Sequence, residues 1–268
     1  AGRIALAKFV HRAFAHASYR SILETLSCGT VEYPAEWLKA VRQAVKQPAS
    51  ARCYNCAKAR LKSTTVVTAS PQPSRQPVST RATVPALEMC CDIWSAPCRA
   101  IQGFRYVLLF VCSATGYMFP VLLRSKSEAG AGLRSLLSFL RTRGLVANGS
   151  GITLRGDNES GSGTFRHEAD AAGINLQLTS PNSPHQNGRA ERNLGTMAAS
   201  AMCALRDAEL PDEYWALATM FAVARLNALG RRHLAWRCPH HAFFGARPRA
   251  QWFLPFGTLC AVYDAHGV

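Results

Sequence analysis

The order of strand-like and helix-like segments after residue 86 limits the possible folds more than any other feature of this sequence. Short runs rich in β-branched and aromatic residues predict strands, and longer runs with apolar residues on one stripe predict helices. The predicted segments are strands at 87–94, 106–112 and 117–123, a helix at 127–142, a strand at 151–155, a helix at 165–172, a strand at 174–178 and a long helix at 189–206. This order indicates an α/β fold, a mixed sheet with helices packed on its faces.

A change of composition marks a boundary before this region. From Ser63 to Pro85 the chain is rich in Ser, Thr, Pro and Gln and almost free of large apolar residues, which is typical of a linker or an extended arm. The preceding block has helical patterns, for example at 35–46. One face of that helix would carry Trp37, Leu38, Val41 and Val45. We expect a small helical domain over 1–62, a linker over 63–86, an α/β core over 87–230 and a truncated C-terminal extension of that core over 231–268.

The charge of the chain favours a polyanionic partner. Its 31 Lys and Arg residues against 16 Asp and Glu give a formal net charge of +15. Such an excess is typical of proteins that contact nucleic acid phosphates, although a merely solvated basic surface is the alternative. No apolar run reaches the roughly 18 residues that cross a bilayer, so no membrane partner is expected.

Two histidines and two cysteines in the first block have a spacing that is typical of zinc ligands. Four residues separate His11 from His16, two separate Cys53 from Cys56, and 36 lie between the two pairs. This supplies the four nitrogen and sulfur donors of a closed tetrahedral site. A helical block of about 60 residues buries little surface, so a metal cross-link would explain how it folds. The alternative is two surface histidines and an accidental pair of cysteines.

Two aspartates follow predicted strands of the core. Asp92 comes near the end of the first strand, and Asp157 follows the short strand at 151–155. Phosphodiester chemistry on DNA needs carboxylates at strand ends, because they hold the divalent ions that contact the attacking and leaving oxygens. Each residue could equally be an ordinary turn aspartate, and composition leaves both possibilities open.

The segment at 179–193 decides between these possibilities. Its sequence, TSPNSPHQNGRAERN, closely resembles the signature that opens the last catalytic helix in integrases of copia-type retrotransposons. The segments MCCDIW at 89–94 and LRGDN at 154–158 are similar to the two aspartate motifs of that family. The resemblance extends over nearly the whole chain, from His11 to about Tyr263.

The resemblance implies a fold, a set of site residues and a reaction. The core would have the ribonuclease-H-like fold, preceded by a zinc-binding pre-integrase head that uses the His/Cys residues above. Asp92, Asp157 and Glu191 would be the catalytic carboxylates and would hold Mg²⁺ or Mn²⁺. Asn187 and Gly188 would form a flexible loop beside the site, and Asn187, Arg189 and Arg192 would lie near DNA phosphates. The implied activity is 3′-end processing and strand transfer during transposition.

The resemblance also implies partners and a location. Double-stranded DNA would be bound both as element ends and as target. Self-association is expected, because two ends must be joined together. Integration would take place in the nucleus and particle assembly in the cytoplasm, although no targeting signal is visible in the sequence.

Three departures from the family pattern leave other functions open. Glu159 stands where the family usually has glycine, and Cys112 stands where an acidic residue is common. The 33 residues between Asp157 and Glu191 are fewer than is customary. The alternatives are a catalytically inactive, domesticated DNA-binding protein of the same fold, a nuclease of that fold, and an interaction protein with a zinc-stabilised head.

Overall fold

The computed structural model describes residues 2–60, 84–146, 151–156, 163–178 and 184–259. In this part of the chain the helices before the sheet are α1 (Gly2–Ala13), α2 (Tyr19–Ser27), α3 (Ala35–Lys46) and α4 (Tyr54–Arg60). The strands are β1 (Glu88–Ser95), β2 (Tyr106–Cys112), β3 (Met118–Leu123), β4 (Thr153–Gly156) and β5 (Asn175–Leu178). The remaining α-helices are α5 (Ala129–Thr142), α6 (Gly163–Ala171), α7 (Pro184–Asp207), α8 (Trp215–Asn227) and α9 (Pro239–Phe244). Short 3₁₀ turns lie at Lys126–Glu128, Asp212–Tyr214, Arg232–Leu234 and Ala250–Trp252. None of the helices in these ranges is both long and apolar enough to cross a membrane.

The five strands form one mixed sheet in the order β3-β2-β1-β4-β5. The pairs β1–β2 and β2–β3 are antiparallel, whereas β1–β4 and β4–β5 are parallel. Cys90 therefore lies opposite Val111 on one side and opposite Arg155 on the other. The predicted order of strands and helices is confirmed, and the topology is the ribonuclease-H-like mixed sheet flanked by helices that the resemblance implies.

Successive side chains of the central strands point to opposite faces of the sheet, as the strand period of two requires. On one face, α5, which was predicted as a helix at 127–142, covers the sheet with a stripe of leucines. Its buried residues include Leu133, Leu136, Leu137 and Leu140. Gly132 allows a close approach, because a Cβ at this position would lie 2.9 Å from Cδ2 of Leu108. Phe165 of α6 and Phe243 of α9 complete this half of the core.

The opposite face is covered by α7 and α8, and the N-terminal helices pack onto the same core. Val10, Phe14 and Ile22 belong to one cluster of buried residues with Val107 of β2 and Trp215 of α8. The Phe14 ring meets the Phe253 ring edge to face at 5.5 Å. The helical head thus shares apolar burial with the α/β core. The expected linker at 63–86 lies almost wholly outside the described residues, and the expected domain boundaries stay predictions.

Two local predictions were wrong. The helix α7 begins at Pro184 and not at Arg189, so Asn187 and Gly188 are helical instead of forming a loop. Proline is well tolerated in the first turn of a helix, and an internal glycine costs only about 1 kcal/mol. In α3, Val45 is 38% exposed. Ala40 and Ala44 are buried in its place, because they pack against Ala7 of α1.

Candidate active site and metal cluster

Four nitrogen and sulfur donors converge in the head. The ligand atoms of His11, His16, Cys53 and Cys56 all lie within 4.8 Å of one another. Cys56 Sγ is 3.3 Å from His11 Nε2, and Cys53 Sγ is 3.4 Å from His16 Nδ1. In a tetrahedral zinc site, bonds of about 2.3 Å to sulfur and about 2.0 Å to nitrogen separate neighbouring N and S donors by about 3.5 Å. The donor set therefore has the composition and the spacing that suit zinc.

Local backbone structure brings these donors together. His11 lies in the last turn of α1, and the chain then reverses through Ala15 and His16, whose φ angles are 48° and 59°. This left-handed conformation is costly for residues other than glycine, and here the His16 N–H donates to the His11 carbonyl at 2.9 Å. Cys53 immediately precedes α4, and Cys56 lies in its first turn. Because the two cysteines are three residues apart, both thiols lie on the same side of that helix.

Further polar groups hold the two imidazoles in position. His11 Nδ1 donates to the Ala17 carbonyl at 2.8 Å, which leaves Nε2 to face the cysteines. In His16 the roles of the two ring nitrogens are exchanged. Nδ1 faces the cysteines, and Nε2 lies 3.9 Å from Oδ2 of Asp207. Asp207 also pairs with Arg12 and accepts a hydrogen bond from Asn55. The sequence patterns did not identify Asp207, since it lies more than 150 residues away in the chain.

The thiol groups of the two cysteines have different pKa values. The pKa of Cys53 lies far below the ordinary thiol value, chiefly because Cys56 hydrogen-bonds to it and because His11 and His16 contribute further hydrogen bonds. The pKa of Cys56 is raised, first by the Cys203 thiol and then by Cys53 and by burial. A metal cation bound between them would stabilise both cysteines as thiolates.

Asp92 lies on the side of the sheet that α7 covers. Because side chains alternate along β1, Asp92 shares its face with Cys90 and Trp94, which pack in the same apolar cluster as Ala190 of α7. Asp92 is half-buried, and its Oδ1 accepts a hydrogen bond from the Ile93 N–H at 2.8 Å. The carboxylate therefore lies at the boundary between the core and solvent.

Glu191 lies on α7 directly after the buried Ala190 and is itself exposed. Its side chain lines an open cleft of about 760 Å³. Several small side chains of α7 line this cleft, and His16 and Cys56 of the metal cluster line it as well. The cleft connects the predicted catalytic glutamate with the His/Cys cluster.

The other predicted site residues are described only in part. Asp157 lies outside the described residues, although β4, which ends at Gly156, runs parallel to β1. Asn187 and Arg189 lie in the first turns of α7, and their side chains are outside the described part of the structure. Arg192 is exposed, lines the same cleft as Glu191, and donates from Nε to the Gly188 carbonyl at 2.9 Å. The assignment of these residues stays a prediction.

Arg231 is a charged residue of this region that the sequence analysis missed. It follows α8 in the chain and lines both the large cleft and a neighbouring cleft of about 340 Å³. Its Nε and Nη2 atoms are buried without a hydrogen-bond partner. Burial lowers the pKa of Arg231, since the charged form loses hydration. No pattern of spacing in the sequence distinguishes this arginine from the others.

Comparison with known proteins relates the chain to transposon polyproteins. It is 28% identical over 169 residues to a retrovirus-related Pol polyprotein from transposon RE2 of Arabidopsis thaliana, and 27% identical over 169 residues to that from transposon RE1 of the same plant. Each match covers 63% of this chain and 11% of the polyprotein. A Pol polyprotein from transposon TNT 1-94 of Nicotiana tabacum is 27% identical over 149 residues, 54% of this chain and 11% of its own length. The predicted relationship to retrotransposon polyproteins is confirmed, and the chain spans about a tenth of the length of these relatives. No family model matches the chain.

Among solved structures, the matches include retroviral integrases. The chain aligns with a simian T-cell lymphotropic virus intasome in complex with the PP2A regulatory subunit B56 gamma, with a TM-score of 0.49, 18% identity, and coverage of 70% of this chain and 61% of that one. For the HTLV-2 integrase catalytic core domain in complex with magnesium, the TM-score is 0.45 and the identity 15%, over 61% of this chain and 99% of that one. For the catalytic core domain of BIV integrase, the TM-score is 0.44 and the identity 13%, over 60% of this chain and 95% of that one.

Proposed function

We propose that this chain is the integrase region of a retrotransposon Pol polyprotein, and that it carries out metal-dependent 3′-end processing and strand transfer of element DNA into target DNA. The observation that carries the proposal is that α7, the helix that bears Glu191, packs on the face of β1 that bears Asp92. Asp92 lies on the face of β1 that α7 covers, and Glu191 extends from α7 into an open cleft. The relationship to transposon polyproteins and the ribonuclease-H-like topology support the same function.

Asp92, Glu191 and Asp157 would hold the divalent ions. Carboxylate oxygens are the donors that Mg²⁺ and Mn²⁺ prefer, and the half-buried Asp92 and the exposed Glu191 suit a site open to a large substrate. When bound, the ions would supply the positive charge that activates the attacking oxygen and stabilises the leaving oxygen. The attacking oxygen comes from water in end processing and from the exposed 3′-hydroxyl in strand transfer, so no side-chain nucleophile is needed.

The remaining work of the chain is to bind and orient DNA. Arg192 follows Glu191 directly, so its guanidinium can contact a phosphate next to the reacting one. Asn187 and Arg189 would extend this contact toward the start of α7. The net charge of +15 favours binding to the backbone of any duplex, which an enzyme that accepts varied target sequences requires.

The His/Cys cluster would hold a structural zinc ion. Its four donors have the spacing of a closed tetrahedral site, and Ala17 and Asp207 orient the two imidazoles. Zinc would supply a cross-link between α1 and α4 and no chemistry of its own. The protein would act as a homo-oligomer on DNA, because two element ends must be joined together. It would act in the nucleus after particle assembly in the cytoplasm.

A strand-joining assay tests this function. The purified chain is incubated with a labelled duplex that carries element ends, a target plasmid, and Mg²⁺ or Mn²⁺. Glu191→Gln and Asp92→Asn are run beside it, and Glu36→Gln, an exposed glutamate of α3, serves as the control for loss of one charge. We expect joining that requires the metal, disappears in both test variants and survives in Glu36→Gln.

Two outcomes would contradict the proposal. Salt-sensitive DNA binding without joining, in a folded and zinc-loaded protein, would identify a catalytically inactive DNA-binding protein of this fold. Metal-dependent cutting of the duplex without any joined product would identify a nuclease.

A further inference from the structure

Arg231 lines two neighbouring clefts, and Glu191 lines the larger of them. The larger cleft runs along α7, and the smaller one lies between α7 and the turn after β2. Arg192, Thr196 and Arg231 line both. Two arginines from different elements of the fold, one on α7 and one after α8, therefore face the same space.

The backbone around Arg231 is held firmly in place. Its N–H donates to the Arg237 carbonyl at 3.1 Å, and its carbonyl accepts from the N–H of Trp236 at 3.0 Å. The preceding residue, Gly230, donates to Oγ1 of Thr25 in α2 at 2.8 Å. A Cβ at Gly230 would lie 2.3 Å from the Trp236 carbonyl oxygen, so only glycine fits there. These contacts fix the backbone of Arg231 between the head and the core.

The charge of Arg231 is not balanced within the described part of the structure. Its Nε and Nη2 are shielded from solvent and have no hydrogen-bond partner, and no ion pair joins it to a described carboxylate. A buried cation without a partner is costly, and burial accordingly lowers the pKa of Arg231. Because Arg231 also lines both clefts, an anion bound there would balance the charge of its guanidinium.

We propose that Arg231, together with Arg192, binds a backbone phosphate of double-stranded DNA in the cleft beside Glu191, and so orients the strand at the predicted catalytic carboxylates. This inference rests on the proposed function and names a positioning residue for it. Arginine suits the role because its guanidinium carries a positive charge and several N–H donors in a rigid fork. Arg192 can contribute its two terminal nitrogens, because its hydrogen bond to the Gly188 carbonyl engages only Nε.

The nature of the cleft favours a duplex over a small anion. It is open to solvent, and small α7 residues such as Gly195, Ala199 and Ser200 line it over several turns of the helix. A small phosphate-binding pocket would enclose its ligand, whereas a groove of this kind lets a polymer continue beyond the contact.

The test is the salt dependence of duplex binding by the 268-residue chain. We compare wild type with Arg231→Gln, Arg231→Lys and Arg232→Gln, the last of which removes one charge from the exposed neighbouring residue. Arg231→Gln is expected to weaken binding about 5- to 10-fold at low salt and to reduce the slope of log K against log salt by about 1. Arg231→Lys should restore the slope and only part of the affinity, and Arg232→Gln should change both less. Zinc content and thermal unfolding show that each variant is folded.

The outcomes separate this inference from the proposed function. Wild-type affinity and slope in Arg231→Gln, in a protein that still joins DNA ends, would overturn the role of Arg231 alone. A chain that never joins ends but shows the expected loss in Arg231→Gln would retain the phosphate contact and reject the catalytic proposal. Inorganic phosphate, tested at constant ionic strength, distinguishes a free anion. If it stabilises wild type and not Arg231→Gln while DNA binding is unchanged between them, the site takes small phosphates and the DNA contact is overturned.

Discussion

Oδ2 of Asp207 lies 3.9 Å from Nε2 of His16, so the last residue of α7 contacts the metal cluster of the head. The same helix carries Glu191 near its other end. Arg12 and Asn55, which flank the cluster, also bind Asp207. The metal cluster and the predicted catalytic glutamate are therefore attached to one rigid element, and the state of the cluster bears on the position of α7.

Asp207→Asn should weaken zinc binding about 10- to 100-fold, because the amide no longer stabilises the orientation and charge of the His16 ring. Competition with a chromogenic chelator measures this change. Glu209→Gln, which removes an exposed carboxylate two residues further on, should bind zinc like wild type. Equal zinc affinity in wild type and Asp207→Asn would show that Asp207 serves only the ion pair with Arg12.

Removal of zinc should destabilise the whole chain and not the head alone, because the head shares its apolar cluster with α7 and α8. We expect a loss of about 4 kcal/mol at saturating zinc, or roughly 10 °C in Tm, when the metal is chelated. Cys53→Ser should behave like the chelated protein, whereas Cys28→Ser, an exposed cysteine outside the cluster, should not. Calorimetry in which the core keeps its Tm while the head melts would contradict the shared packing.

Phe14→Ala should destabilise the protein by about 3–5 kcal/mol, because a fully buried ring is lost from the contact between head and core. Its neighbours are the rings of Trp37 in the head and Phe253 in the C-terminal segment. Urea unfolding followed by tryptophan fluorescence and by circular dichroism measures the loss. In Ile101→Ala, which truncates a side chain that is 55% exposed, the change should stay below about 1 kcal/mol.

The stability of the protein should fall in alkali because of Tyr19. Burial, followed by the nearby thiol groups of Cys53 and Cys56, raises the pKa of this phenol from 10.0 to about 12. The folded state therefore holds the proton more tightly than the unfolded state, so this contribution is complete below pH 10 and is lost as the pH rises to about 12. Because the side chain is only half-buried, screening reduces the effect to about 1 kcal/mol.

Tyr19→Phe isolates that contribution. The Tyr19 hydroxyl is buried without a hydrogen-bond partner in the described structure, so its removal should cost little at pH 7. Between pH 10 and pH 12 the variant should lose less stability than wild type in parallel urea titrations. Identical pH profiles for the two proteins would mean that the phenol is not protected by folding.

Much of the fold could be predicted from the sequence, because its central elements are strongly patterned. The buried run of β2 and the leucine stripe of α5 are governed by local periodicity, and both were predicted at nearly their observed bounds. The His/Cys cluster was predicted from the short spacing within each pair, although 36 residues separate the two pairs. Predictions failed where packing between distant segments determines which residues are buried. Val45 is partly exposed, whereas Ala40 and Ala44 of the same helix are buried against α1.

The parts of the site that depend on distant contacts could not be predicted. Asp207 contacts His16 because the end of α7 packs against the head. Arg231 and Arg192 line the same cleft because the turn after α8 is hydrogen-bonded to α2. Neither contact leaves a motif in the sequence, since an aspartate or an arginine among many others carries no spacing signal. Residues of this kind are found only when the tertiary structure brings their partners together.

The helix α7 also sets the distance between the predicted catalytic glutamate and the metal cluster. Glu191 and Asp207 are 16 residues apart on one unbroken helix, which corresponds to about 24 Å along its axis. B-form DNA rises about 3.4 Å per base pair, so a duplex that followed this side of the protein would have about seven base pairs between the predicted catalytic carboxylate and the metal cluster. The head would then contact the duplex most of one helical turn away from the bond that reacts, and the length of a single helix would define which base pairs are covered.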